Sequence, residues 1–192
     1  SDLASAGVAF SLDTESGCPN VIVINGSWGL GEMVVSGQVK PDEILVFKKT
    51  LKNYPSIIDK KLGEKNEKMI YSDNPNKRVK KILVEEYKKN RFCLDDIKAL
   101  QLARWVVDIE NYYTKLNKRW TPVDVEWALD GLTNKLYIVQ ARPETVISRS
   151  NNDQLIEYKM NDNQSKDTIL TGVAVGDKIS SGKVKIMFSL DF

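Results

Sequence analysis

Histidine is missing from all 192 residues of the sequence. Because histidine supplies the general base of Ser-His-Asp triads and the usual nitrogen ligands of zinc, its absence excludes both kinds of site. Any chemistry carried by this chain must use carboxylates, arginine, lysine, backbone amides and a metal ion that prefers oxygen ligands.

Cysteine is scarce as well. Cys18 and Cys93 lie far apart and form no CxxC motif, a pattern that favours free thiols in a reducing compartment over a disulfide. The sequence also lacks an apolar run long enough to span a bilayer, and its start shows no signal-peptide pattern. We therefore expect a cytoplasmic protein with no membrane partner.

Neither sign of charge dominates, since 28 Lys and Arg residues face 26 Asp and Glu residues, for a net charge of +2. A balance this close predicts no nucleic-acid partner. The hydrophobic share of 42% indicates a globular protein. The length allows one domain, or one domain with part of another.

Short β-branched runs punctuated by glycine, proline and asparagine predict strands in the first half of the chain. The apolar runs at 6–12 and 21–24 predict a hairpin, because the turn-rich residues 13–20 separate them. The glycine-rich stretch 25–32 (NGSWGLGE) predicts a loop with unusual backbone angles. A short helix is predicted at 33–38, and further strands at 43–47, 56–60 and 68–71.

The clearest helix is predicted at 95–118. Asp95 or Asp96 can cap its amino end, and apolar side chains recur at alternating four- and three-residue steps. Such a stripe predicts a helix that packs on a sheet; its members are Leu102, Val106, Ile109, Tyr113 and Leu116. Strands are predicted at 123–129 and 135–141, a polar linker at 148–164, and small β-units in the glycine-spaced residues 169–188.

Polar side chains recur on one face of the two strands that follow this helix. Asp124 and Glu126 share a face of the first strand, and Gln140 and Arg142 share a face of the second. A turn centred near Thr133 predicts that Glu126 lies opposite Gln140 and Asp124 opposite Arg142, with Cβ atoms roughly 5 Å apart. Carboxylates, an amide oxygen and a guanidinium suit a site for Mg²⁺ and phosphate. A solvated cross-strand ion pair would show the same spacing.

Three separated segments carry a resemblance to a known family. The segment DVEWALDG followed by KLYIVQARPETV resembles the DIEWA-x-DG and KL-(Y/F)-IVQARPET signature of the pyruvate, water dikinases, the phosphoenolpyruvate synthases. The earlier segments SAGVAFSLDTESG and WGLGEMVVSGQVKPDE are similar to motifs that this family carries in the same order. The resemblance extends over about residues 1–150, and the later TGVAVGDKISSGKVKIM is similar to the opening strands of the family's phosphohistidine domain.

The resemblance implies an α/β (α+β) fold, namely the carboxy-terminal lobe of an ATP-grasp domain. This lobe is a mainly antiparallel sheet covered by one long helix, with a short β-rich segment after it. The implied boundaries are 1–150 for the ATP-grasp part, 151–165 for a linker, and 166–192 for the first strands of the phosphohistidine domain.

The resemblance also implies ATP and Mg²⁺ as cofactors and assigns roles by position. Glu126 and Gln140 are expected to be the metal and phosphate-side ligands. Arg142 is expected to contact phosphate. Asp124 is expected to support the site, and Glu32 in the WGLGE segment to help place the nucleotide. No catalytic residue is assigned, because the family's phosphorylated histidine is not in this sequence.

The implied reaction of the family converts pyruvate, ATP and water to phosphoenolpyruvate, AMP and phosphate through a phosphohistidine. The family's other ATP-grasp half and its pyruvate-binding domain are not in this sequence, so we expect the chain alone to be inactive. Pyruvate is expected as a partner of the full-length enzyme, and any homo-oligomer contacts are expected in its C-terminal domain. Two alternatives stay open: a related dikinase or phosphotransferase of the pyruvate,phosphate dikinase or rifampicin phosphotransferase type, and a non-catalytic binding module.

Overall fold

The structure is a computed structural model that describes residues 2–52, 55–144 and 183. Backbone contacts divide the chain into two units, Ser1–Asn151 and Asn152–Phe192, and all described residues except Lys183 belong to the first. The predicted linker at 151–165 and the predicted phosphohistidine-domain strands at 166–192 lie outside the described residues, apart from Lys183. These domain boundaries stay predictions.

A six-stranded antiparallel sheet forms the centre of the first unit. Its spatial order is β4-β3-β2-β1-β7-β8, so the first strand of the chain lies in the middle, between β2 and β7. The strands are β1 Ser5–Phe10, β2 Val21–Trp28, β3 Asp42–Phe47, β4 Ile57–Lys61, β7 Val123–Leu129 and β8 Leu136–Pro143. The predicted mainly antiparallel α/β fold and the predicted hairpin of the first two strands are confirmed.

One long helix, α3 (Asp96–Asn117), covers the inner face of this sheet. The Asp95 side chain caps it by accepting a hydrogen bond from the Lys98 backbone N–H at 2.8 Å, as the sequence predicts. Leu102 and Val106 are buried in the core, and burial of such a side chain contributes about 1.5–3 kcal/mol. Leu116 of the predicted stripe is 61% exposed, because a 3.5-residue repeat drifts off one face of a 3.6-residue helix.

The core between α3 and the sheet is closed by Trp127 of β7. Its indole is buried, and Nε1 donates a hydrogen bond to the Val8 carbonyl at 3.2 Å. A Cβ atom at Gly26 of β2 would lie 2.7 Å from the Trp127 ring, so β2 needs glycine to pass over the indole. Cys93 is buried in the same core and Cys18 is partly buried; both are free thiols, as predicted.

A second, two-stranded sheet consists of β5 (Glu67–Tyr71) and β6 (Val79–Leu83). It holds the turn after β2, because the Leu30 backbone N–H donates to the Met69 carbonyl at 2.9 Å. Gly29 has φ +83° in this turn, and a Cβ atom there would lie 2.5 Å from the Met69 carbonyl oxygen. The glycine therefore meets both a backbone and a steric requirement.

In this region one sequence prediction is wrong, and one strand has no counterpart among the predictions. Residues 25–28 were predicted within a loop, yet β2 continues through Trp28, because β1 supplies ladder partners for all of its glycine and asparagine positions. The strand β6 was not predicted, since VKKIL has two adjacent lysines and no clear alternation. Two short helices are also present, α1 (Glu32–Val35) and α2 (Glu86–Lys89).

A buried ion pair links two loop segments to the six-stranded sheet. Asp42, at the start of β3, pairs with Lys65, and both side chains are almost completely buried. Asp42 also accepts hydrogen bonds from the backbone N–H groups of Gly63 (2.9 Å) and Cys93 (2.7 Å). The carboxylate thereby links β3, the turn after β4 and the residues before α3. Within the described residues, no helix has the length and hydropathy that a membrane crossing requires.

Candidate nucleotide site

A β-bulge sets the pairing of the last two strands. Glu126 lies opposite Gln140, but its neighbour Trp127 lies opposite Ile138, so Val139 is one extra residue in β8. If β8 kept all of its residues but ran without the bulge, strict alternation from Ile138 would turn Gln140 and Arg142 toward the core. With it, Val139 and Gln140 are both exposed, while Ala141 packs against the core. The predicted pairs Glu126–Gln140 and Asp124–Arg142 are confirmed.

These four side chains line a cleft of about 270 Å³ on the sheet face opposite α3. The ladder registers place them in transverse rows. One row crosses all six strands, and its members from β4 to β8 are Lys61, Glu43, Asn25, Val8, Glu126 and Gln140. The helix α1 and Pro41 bound the cleft at its β2 end. The cleft therefore runs across the strands, from the polar β7–β8 pair toward an apolar wall.

Asp124 and Arg142 form an ion pair on the floor of this cleft. Nε of Arg142 lies 3.4 Å from Oδ2 of Asp124, and the arginine side chain is 66% exposed against 21% for the aspartate. Burial raises the pKa of Asp124; the Arg142 guanidinium opposes that rise, and the Glu144 carboxylate adds to it. The aspartate contacts the guanidinium at Nε, so the two terminal nitrogen atoms of Arg142 stay available to donate to an anion such as phosphate.

Side-chain oxygen atoms without protein partners line the same cleft. Oδ1 of Asp124 is buried and accepts no hydrogen bond. No hydrogen bond or ion pair joins the side chains of Glu126 or Gln140 to any other residue of the described part. Two carboxylates and an amide oxygen on adjacent strands suit Mg²⁺, which commonly binds one or two carboxylates together with substrate phosphates.

A preformed metal cage is absent from the described residues. No group of three or more His, Cys, Asp or Glu side chains in residues 2–52 and 55–144 is arranged to hold a metal. Glu126 and Gln140 could supply two ligands, and the orphaned Asp124 oxygen shows unfilled acceptor capacity beside them. The donor set fits a magnesium ion whose coordination is completed by a phosphate-bearing ligand.

Glu32 does not join this group. It is the exposed first residue of α1, and its side chain does not line the cleft, which α1 reaches through Val34 and Val35. The turn that carries Glu32 is nevertheless fixed by the hydrogen bond between Leu30 and Met69. Its expected role in placing a nucleotide stays a prediction.

Sequence reasoning missed the β1–β2 half of the cleft. Asn25, Val8 and Phe10 line it together with the α1 valines, although the sequence placed Asn25 in a loop. Only the place of β1 in the sheet reveals them, because its outer-face residues lie directly opposite Glu126 and Asp124. That neighbourhood joins residues more than 100 positions apart, and local patterns do not report it.

Comparison with protein families gives a match over residues 1–163 to the family described as pyruvate phosphate dikinase, AMP/ATP-binding domain. Among curated proteins, the chain is 50% identical over 194 residues to the phosphoenolpyruvate synthase of Aquifex aeolicus (strain VF5). It is 44% identical over 188 residues to that of Synechocystis sp. (strain ATCC 27184 / PCC 6803 / Kazusa). It is also 44% identical over 193 residues to that of Escherichia coli (strain K12).

These matches cover nearly all of this chain but a small share of each relative. The covered share of the chain is 99%, 97% and 99% in the same order, whereas the covered share of the relative is 22%, 23% and 23%. The chain thus spans less than a quarter of the length of these curated relatives. The similarity includes β7 and β8, the strands that carry the polar end of the cleft, since residues 123–143 lie inside the family match.

Proposed function

The chain belongs to the pyruvate phosphate dikinase AMP/ATP-binding domain family, and from that premise we propose that it is one half of the MgATP site of a phosphoenolpyruvate synthase. The half is the carboxy-terminal lobe of an ATP-grasp domain. Relatives that are 40–50% identical and carry the name phosphoenolpyruvate synthase support this choice over a rifampicin phosphotransferase. The open, one-sided cleft supports a site whose other wall comes from another part of an intact enzyme.

One observation carries the proposal: the bulge at Val139 brings Glu126, Gln140, Asp124 and Arg142 to one face of β7 and β8. In the proposed site, Arg142 donates hydrogen bonds to a phosphate group of ATP. Asp124 orients the guanidinium through Nε and leaves the outer donors free. Asp124 is therefore a positioning residue, because it acts on the nucleotide through Arg142.

Glu126 and Gln140 are the proposed ligands of a magnesium ion. When bound with the nucleotide, Mg²⁺ neutralises phosphate charge and so favours phosphoryl transfer. The two side chains sit on paired strands and not on a loop, which keeps their backbone attachment points at a fixed separation. Glu32 is proposed to contact the nucleotide once the site is complete, since its turn is anchored to β5.

The whole-enzyme activity is part of the proposal. Pyruvate, ATP and water are converted to phosphoenolpyruvate, AMP and phosphate, with a phosphohistidine as the intermediate carrier. The phosphoryl acceptor and the pyruvate site are assigned to domains beyond this chain, as are any contacts between subunits. We propose a cytoplasmic location for the enzyme. We also propose a role in gluconeogenesis, since its product is a phosphorylated three-carbon precursor of sugars.

The test is ATP-dependent phosphorylation of histidine in the intact enzyme. Replacing Glu126 or Arg142 with alanine is expected to reduce labelling from β-³²P-ATP by roughly 100-fold or more, as loss of one charged contact in a phosphoryl-transfer site does. Asp59→Asn is the matched control, because Asp59 is on the same sheet face but outside the cleft. Full labelling in either alanine variant contradicts the proposal.

A further inference from the structure

Asn25 is a polar cleft residue that the proposed MgATP site does not use. It lies on β2 opposite Val8, which in turn lies opposite Glu126, so Asn25 shares a face and a transverse row with the proposed metal ligands. Its side chain lines the cleft. No hydrogen bond joins its carboxamide to another residue within the described ranges 2–52 and 55–144.

The backbone around Asn25 is held from both sides. A Cβ atom on Gly7 of β1 would lie 1.9 Å from the Asn25 carbonyl oxygen, and one on Gly26 would lie 2.7 Å from the Trp127 ring. Glycine at both positions therefore brings β1, β2 and the core indole into close contact. Asn25 therefore lies on a rigid part of the sheet, which fixes the direction in which its Cα–Cβ bond points into the cleft.

The neighbours of Asn25 decide what it can bind. Val8, Val34 and Pro41 form an apolar wall around it, and Glu43, the charged residue directly beside it in its row, is paired with Lys61 at 2.9 Å. A carboxamide does not titrate, so it cannot act as a general base. It can donate two hydrogen bonds, and a hydrogen bond in apolar surroundings is stronger than one in water.

The cleft connects Asn25 with the proposed phosphate site. Neighbouring strands are about 4.8 Å apart, and Asn25 is two strands from Glu126, with the apolar Val8 between them. A phosphate chain that shared a magnesium ion with Glu126 and Gln140 would extend over β1 if it followed the cleft. Asn25 is the next polar group along that line.

We propose that the Asn25 carboxamide donates a hydrogen bond to a phosphate oxygen of the bound nucleotide, at the end of the phosphate chain nearest α1. This inference rests on the proposed MgATP site. It assigns Asn25 to binding of the phosphates beyond the one that AMP retains, and it gives the apolar α1 end of the cleft a function in recognising the triphosphate.

The test compares Asn25→Asp and Asn25→Ala in the intact enzyme by calorimetric titration with ATP and with AMP in the presence of Mg²⁺. Asn25→Asp keeps the shape and replaces a donor by a negative charge. We expect it to weaken ATP binding by roughly tenfold or more and AMP binding by less than about twofold. Asn25→Ala is expected to weaken ATP binding by a smaller factor, because it removes the donor without adding repulsion.

Glu43→Gln is the matched control, since Glu43 neighbours Asn25 in the same row and does not line the cleft. The inference is overturned if both Asn25 variants bind ATP as tightly as the unmodified enzyme. Equal losses for ATP and AMP overturn it as well, because they indicate contact with a part that both nucleotides carry, the nucleoside or the α-phosphate. If the unmodified enzyme binds neither nucleotide, the proposed MgATP function fails and this inference with it.

Discussion

Glu126 lies opposite Gln140 in a ladder where the next residue, Trp127, lies opposite Ile138, and the difference is the single extra residue Val139. A bulge of this kind shifts the alternation of one strand by one position. It allows the same strand to pack Ile138 and Ala141 against the core and still present Gln140 to the cleft. The site therefore depends on which residues of β8 face the cleft, which is the phase of this strand, more than on any one contact.

This phase predicts opposite outcomes for two single-residue deletions in β8. Deleting Val139 makes the ladder regular and keeps Gln140 and Arg142 on the cleft face, so ATP binding by the intact enzyme is expected to weaken by less than about tenfold. Deleting Ala141 turns Arg142 toward the core and is expected to weaken binding by more than about 100-fold. Isothermal titration measures both, and similar affinities for the two variants would refute the role of the bulge.

The raised pKa of Asp124 predicts how the pH dependence of stability changes on mutation. An acid with a higher pKa in the folded state binds more protons folded than unfolded, so its contribution to stability falls as pH rises above the ordinary value of 3.8. Replacing Asp124 with asparagine removes that contribution. The melting temperature of Asp124→Asn minus that of the unmodified protein is therefore expected to increase between pH 3 and pH 7, as followed by circular dichroism.

Asp130 provides the opposite case for the same experiment. Hydrogen bonds from Thr133 lower the pKa of Asp130, so its ionised form favours the folded state and its contribution is lost as pH falls through the lowered pKa. The difference in melting temperature for Asp130→Asn is expected to become more negative with rising pH. Parallel trends in the two variants would contradict the assignment for Asp124.

The buried pair of Asp42 and Lys65 predicts a large loss of stability on mutation. Replacing Lys65 with methionine leaves a buried carboxylate without its counter-charge, which is expected to lower the free energy of unfolding by about 3–5 kcal/mol. The control is Lys61→Met, because Lys61 pairs with Glu43 on the surface and its loss is expected to cost less than about 1 kcal/mol. Urea denaturation measures both, and equal losses would show that the buried pair is dispensable.

The cleft shows which features could be predicted from the sequence. The pairing of Glu126 with Gln140 followed from a turn centred near Thr133 and proved correct. On the turn side of the bulge the strands are shifted by one residue, so Trp127 meets Ile138 and the same turn centre does not hold there. The sequence holds a hint of the bulge. In a regular strand Gln140 and Arg142 would share the face of the buried Leu136, so exposing them requires one extra residue between Leu136 and Gln140.

The rest of the cleft could not be predicted for a different reason. Asn25 was placed in a loop because glycines surround it, and local propensity carries no information about the ladder partners on β1 that make it a strand residue. The capped helix α3 was predictable within one residue at each end, since its cap and stripe are local signals. Ladders between distant strands are set by tertiary packing.

The central place of β1 has a consequence for how the chain reaches its native state. Its partner β2 follows it closely, but its other partner β7 joins Val8 to Glu126 across more than 100 residues. Loop closure of that length is slow, so the first strands can pair early while one edge of β1 waits for β7. During synthesis on the ribosome that edge is open until residue 129 has emerged, and its unpaired backbone is then the segment most exposed to wrong strand pairing.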